Sequence, residues 1–141
     1  VSNVIRQKLI VGIESTHSHM VLDKTVILFL PEGEHHELGL LYMYYLLKNR
    51  GVQVIYLGAN VPVRDLEFIT NLKKPDYLYT HLTCNAGSNS VEKFFNQVHH
   101  KMPQIPVVIS GQLTQARFKK IPPGMHLKRS LTEVLEYVSA S

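Results

Sequence analysis

The sequence contains no tryptophan and a single cysteine, Cys84, in 141 residues. One thiol excludes an internal disulfide framework and any CxxC zinc site. Cysteine this sparse suits a reducing cytosol. No apolar run approaches the ~18 residues that cross a bilayer. No charged segment followed by an apolar stretch and a cleavage site marks a secretory signal, so the expected location is cytoplasmic. Acidic residues number 11 against 15 basic ones, a net charge of +4 with histidines neutral. The basic residues are scattered, with the densest patch at Arg117, Lys119 and Lys120, and read as a solvated face rather than a nucleic-acid surface. Also missing are a GxGxxG fingerprint, a phosphate-binding P-loop, a Ser-His-Asp or Cys-His-Asn signature and a paired-carboxylate catalytic set. None of these reaction classes is therefore indicated.

What is present is a foldable domain. Hydrophobic residues make up 45% and charged residues 18%, which excludes a disordered chain, and the length suits one core. The chain opens on Val1, as expected of a piece of a longer protein. Residues 1–23 stand apart: Ile5, Leu9 and Ile13 recur at helical spacing, Gly12 weakens the helix, and Ser15 to His19 reads as a linker. The segment is expected to be a linker or the end of an upstream helix. The domain proper is expected over 24–141.

There, apolar runs alternate with helical patterns. Strands are predicted at Val26–Leu30, Val52–Leu57, Asp76–Leu82, Pro106–Ser110 and Met125–Leu127. Helices are predicted between them: one through Leu38, Leu41 and Tyr45 that stops at Gly51, and one opening at Pro62. A third carries Phe94 and Phe95 behind an Asn89–Glu92 capping box, a short one lies near Gln115–Phe118, and a last follows a Ser130–Glu133 box. Strand–helix alternation means an α/β fold with right-handed crossovers, here a flavodoxin-like five-stranded parallel sheet in the order 2-1-3-4-5 with helices on both faces. Such sheets bind ligands beyond the carboxyl ends of the strands, near the switch point between strands 1 and 3. The loops after Leu30, Leu82 and Ser110 therefore carry the site.

The first loop holds Glu34-x-His36-x-x-Gly39. A carboxylate two residues from an imidazole can accept its far ring proton and raise the basicity of the nitrogen facing a metal. A glycine at the helix start lets a bulky ligand approach the backbone. The third strand ends Tyr79-Thr80-His81-Leu82 with no carboxylate, which excludes a phosphate-accepting receiver.

These residues resemble the cobalamin-binding domains with Asp-x-His-x-x-Gly, Ser-x-Leu and Gly-Gly motifs. In particular they resemble the carboxyl-terminal domain of light-sensing MerR-type transcriptional regulators, whose first motif carries Glu. Tyr56-Leu57-Gly58-Ala59-Asn60-Val61-Pro62 with Asp65-Leu66 looks like theirs, and the resemblance covers about residues 24–138. It implies His36 as the lower axial ligand of cobalt, displacing the cofactor's own base, with Glu34 as that histidine's acidic partner. It implies Gly39 as the residue that lets the nucleotide tail descend. Thr80-x-Leu82 stands for Ser-x-Leu, with Thr83 as the alternative hydroxyl. Ser110-Gly111 stands for Gly-Gly, followed by Gln112, and the Ser110 side chain disfavours tight tail binding. The implied cofactor is adenosylcobalamin, with light breaking the upper cobalt–carbon bond. DNA binding would come only through an upstream domain, and homo-oligomerisation would belong to the full-length protein. The family's helical cap, with its Trp, is not in this sequence.

The remaining chemistry-bearing residues have plainer readings. His35 is a solvated loop residue, because only His36 stands three residues before a glycine. His17-x-His19 is half of a zinc site at most, and His99-His100 is a cationic helix end. His81 and Cys84 sit at a strand end and line the same crevice. Two rivals remain: the corrinoid module of a methyltransferase or mutase, and a cofactor-free interaction domain.

Overall fold

The computed structural model describes residues 2–15, 23–82, 88–112 and 121–140. Ten elements follow in chain order: α1 (Ser2–Ser15), β1 (Thr25–Pro31), α2 (Leu38–Asn49), β2 (Gln53–Val61), α3 (Val63–Lys73), β3 (Tyr77–His81), α4 (Ser88–Lys101), β4 (Val107–Ser110), β5 (Met125–Leu127) and α5 (Leu131–Ala140). The strands form one sheet in the order β2-β1-β3-β4-β5, and every pairing is parallel. The expected architecture is the one observed.

The continuous apolar run of β1 is explained by burial on both faces. Val26, Leu28 and Leu30 join a core with Leu40, Met43 and Leu47 of α2 and Val134, Leu135 and Val138 of α5. Ile27 and Phe29 point the other way, into a core with Leu66 of α3 and Val91, Phe95 and Val98 of α4. Each fully buried Leu, Ile or Phe contributes about 1.5–3 kcal/mol relative to exposure.

Three local departures from the sequence pattern bear on the site. β2 runs to Val61, beyond the Leu57 at which the apolar run ends. Its pairing with β1 slips between Leu28 and Phe29 and again before Pro31, and Gly58 (φ +83°) and Asn60 (φ +58°) sit in the slipped stretch. These are bulges that polar residues can occupy, so hydrophobicity did not mark the strand's end. α4 is described from Ser88, one residue before the Asn89 of the predicted box. The Ser130–Glu133 box forms, with the Glu133 amide donating to Ser130 Oγ (3.1 Å). The Glu133 carboxylate accepts from the Arg129 amide (3.1 Å), one residue before the expected partner.

The amino-terminal segment is a helix packed on α2. Of its expected stripe, Ile13 is buried, Leu9 half-buried and Ile5 exposed. Lys48 Nζ of α2 donates to the Ile13 carbonyl (2.6 Å), a cation on the last turn of α1 where the helix dipole favours it. The linker histidines, Cys84 and the short helix predicted near Gln115 lie outside the described residues. No described helix is long and apolar enough to cross a membrane.

Candidate functional site at the carboxyl edge of the sheet

The loop between β1 and α2 is held by β2. The Gly33 amide donates to Asn60 Oδ1 (2.9 Å), the Asn60 amide to the Glu34 carbonyl (3.1 Å), and the Glu34 amide to the Pro31 carbonyl (3.0 Å). Asn60 can serve both neighbours because its backbone is left-handed, a conformation Asn tolerates better than most residues. The bulges of β2 are thus the device that fixes the loop. Glu34 is buried within it, and His35 and His36 are exposed.

His36 faces a recess of about 280 Å³ that it shares with Asn3 and Arg6 of α1, His35, Glu37, Leu38 and Gly39. Glu37 closes one side. Its carboxylate accepts from Tyr56 Oη (2.7 Å) and stands 3.5 Å from Arg6 Nη2, which ties α1 to β2 across the loop. Burial, with the Glu37 carboxylate adding to it, pushes the Tyr56 phenol far above its ordinary range, so it is a fixed donor. The Tyr56 ring stacks on Tyr44 of α2 at 5.1 Å.

Behind His36, at the start of α2, Gly39 meets the end of β3. A methyl group placed on Gly39 would overlap the His81 ring, standing 2.5 Å from Nε2. His81 Nδ1 lies 3.1 Å from Ser110 Oγ and 3.3 Å from Tyr79 Oη, and Tyr79 Oη is hydrogen-bonded to Ser110 Oγ. A proton arrangement that fits these distances has the Tyr79 phenol donating to Ser110 and the Ser110 hydroxyl donating to Nδ1 of a neutral imidazole protonated at Nε2. Tyr79 and Ser110 are both buried, at 1% exposure each. Burial raises the Tyr79 phenol well out of the physiological range.

Burial also lowers His81 from its ordinary 6.5, and the Glu34 carboxylate partly offsets this. An unfolded chain therefore binds a proton at His81 near pH 6.5 that the folded chain refuses. The stability His81 contributes is whole above that pH and is lost as pH falls toward the folded value. The thermal midpoint is expected to drop between pH 7 and pH 5, and His81→Gln is expected to flatten part of that drop. Thermal unfolding followed by circular dichroism checks this. His126, also lowered by burial, adds a slope of the same sign that the variant leaves in place.

The sequence-predicted residues do not all meet. Glu34, His36, Gly39 and Ser110 gather at the α2 side of the sheet edge. Thr80 and Leu82 alternate with Tyr79 and His81 and so point to the opposite face, where Leu82 joins the α4 core. Thr80 is fully buried, and its hydroxyl has no hydrogen-bond partner among the described residues. Thr80→Val is accordingly expected to be neutral or stabilising by up to about 1 kcal/mol, read from the urea midpoint. Gly111 packs on the Leu82 backbone, and Gln112 is exposed. Thr83 lies outside the described residues.

Comparison with known proteins decides the family. The B12 binding domain family matches residues 24–125. The chain belongs to the B12-binding domain family. This B12-binding domain is 28% identical over 116 residues to the HTH-type transcriptional repressor CarH of Myxococcus xanthus, covering 79% of this chain and 37% of that one. It is 27% identical over 95 residues to the repressor CarA of the same organism, covering 67% and 33%. The chain thus spans about a third of the length of these curated relatives. Among solved structures, the methanol:cobalamin methyltransferase complex MtaBC of Methanosarcina barkeri shares the fold, with a TM-score of 0.68 at 19% identity over 83% of this chain and 45% of that one.

A cobalamin asks two things of such a site, a lower ligand and room for its nucleotide tail. An exposed imidazole on a pinned loop suits the first. Beside Gly39, where the resemblance would run the tail, the space is filled by the His81 ring. Arg6, Glu37, Asn60 and Tyr79 were not expected as site residues. Period-2 alternation in β3 would have paired Tyr79 with His81, but their meeting with Ser110 depends on the β3–β4 register, in which His81 lies opposite Ser110.

Proposed function

We propose that this is a corrinoid-binding regulatory domain in which His36 is the lower axial ligand of cobalt. The observation that carries the reading is the exposed His36 on a loop pinned by Asn60, at the carboxyl end of β1, in a chain of the B12-binding family. A bound corrinoid would supply a cobalt centre whose upper ligand can change, with an adenosyl group as the resemblance implies. The protein's part is to hold His36 still. The Asn60 bonds fix the loop before ligand arrives, so little order has to be gained on binding.

The HTH-type repressors among its relatives support a regulatory rather than catalytic role. The signal would leave through elements that touch the site. α1 is one, since Arg6 pairs with Glu37 beside His36. A change of ligand state that alters this contact would bias the position of α1, and thereby the association and DNA binding of a full-length regulator.

The test is a visible spectrum. The purified domain is mixed in the dark with diaquacobinamide or adenosylcobalamin, desalted and scanned before and after light, alongside His36→Ala. Imidazole coordination in the wild type with at least one corrinoid, lost in His36→Ala, is the expected result. Absence of any retained colour in a folded wild type overturns the reading. It would favour a cofactor-free interaction domain, the second reading, which draws on the filled space beside Gly39.

A further inference from the structure

The filled space beside Gly39 has a consequence for which corrinoid the domain takes. A glycine at the start of α2 leaves a gap between that helix and the end of β3. Here the gap is closed by the chain's own side chains. The His81 ring lies against the Gly39 backbone, closer than a methyl group on that residue would permit. The ring is held from below by Ser110 Oγ at 3.1 Å and Tyr79 Oη at 3.3 Å. Tyr79 belongs to the core formed with α2 and α5, so the floor of the gap cannot drop without opening that core. Ser110 adds a hydroxyl where a glycine would leave space, and that hydroxyl is used twice, by the phenol and by the imidazole. The Tyr79 and Ser110 hydroxyls are thus satisfied within the cluster.

We infer that His81, Ser110 and Tyr79 form a plug that closes the nucleotide slot, so that the domain selects corrinoids lacking the lower nucleotide over complete cobalamins. This rests on the reading of His36 as the cobalt ligand. His36 itself is outside the plug: it is exposed, and no element of the cluster covers it. A corrin laid on the sheet edge can reach His36 without disturbing His81. A nucleotide tail directed past Gly39 must expel the His81 ring, break the Ser110–His81 hydrogen bond, and leave the Tyr79 and Ser110 hydroxyls with only each other.

The experiment compares two probes on the same protein, diaquacobinamide and aquacobalamin, by equilibrium dialysis and by the visible spectrum. The wild type is expected to bind cobinamide at least tenfold more tightly than cobalamin. His81→Ser, which removes the ring but keeps a polar group for Ser110, is expected to raise cobalamin affinity at least tenfold while changing cobinamide affinity less than threefold. Circular dichroism confirms that the variant folds, and the wild-type ratio stands as a test without it. Equal affinity of the wild type for both probes overturns the plug and leaves His36 ligation intact. So does a His81→Ser variant that folds and gains nothing for cobalamin. Failure of both probes to bind overturns the reading on which the plug rests, a result distinct from either of the others.

Discussion

Gly111→Ala is expected to destabilise the fold by about 3 kcal/mol, and to lower the thermal midpoint by roughly 10 °C in a domain of this size. Two independent costs combine. The backbone of Gly111 has φ +110°, a region that residues with a side chain rarely enter. A methyl group there would also run into the Leu82 carbonyl, and would stand 2.9 Å from both the carbonyl carbon and the amide nitrogen of Leu82. Neither obstacle can rotate away, because both belong to backbone at the end of β3, and the Leu82 amide donates to the Ser110 carbonyl at 2.8 Å. Gly111 therefore serves the joint between the ends of β3 and β4. Thermal or chemical unfolding measures the loss. A midpoint within a degree or two of wild type would mean that the joint between β3 and β4 is looser than described.

Gly39→Ala is the second large effect, and its sign is informative. In an ordinary first turn of a helix this change is neutral or gains up to about 1 kcal/mol from helix propensity. Here the added methyl must displace the His81 ring, which is anchored to Ser110 and Tyr79, and a net loss of about 1–3 kcal/mol is expected. In a His81→Ala background the obstacle is gone, and Gly39→Ala is expected to return to neutral or stabilising. A double-mutant cycle by urea denaturation thus should yield a coupling of at least about 1.5 kcal/mol. Additive single effects would show that the ring does not rest on Gly39 in solution, and would remove the geometric basis of the plug.

The legible part of this protein is the part written in local pattern. Val26 to Leu30 is apolar at every position because both faces of β1 are covered, and no exposed strand could carry that run. Apolar patterning also located β3, β4 and β5, although those runs admit Thr80, His81 and His126, and strand–helix alternation then dictated a parallel sheet. Gly39 and His36 were legible as a motif because their spacing is local. The end of β2 was not legible, since a bulge can hold Gly58 and Asn60 in a strand that hydropathy says has stopped. The role of Asn60 was hidden for the same reason: its bonds reach back 27 residues to Gly33.

The sequence by itself determined the fold, the strand order, the loop on which His36 stands and the resemblance to B12-binding domains, because each follows from period, alternation or a short motif. The tertiary structure alone decided what lies beside Gly39. His81 and Ser110 are 29 residues apart and Tyr79 and Ser110 are 31 apart, and nothing local brings them together. The parallel register of β3 on β4 does so, setting His81 opposite Ser110, while the crossover through α2 carries Gly39 to the same edge. A glycine in sequence signals room. Only the packing shows that a histidine from another strand has already taken it.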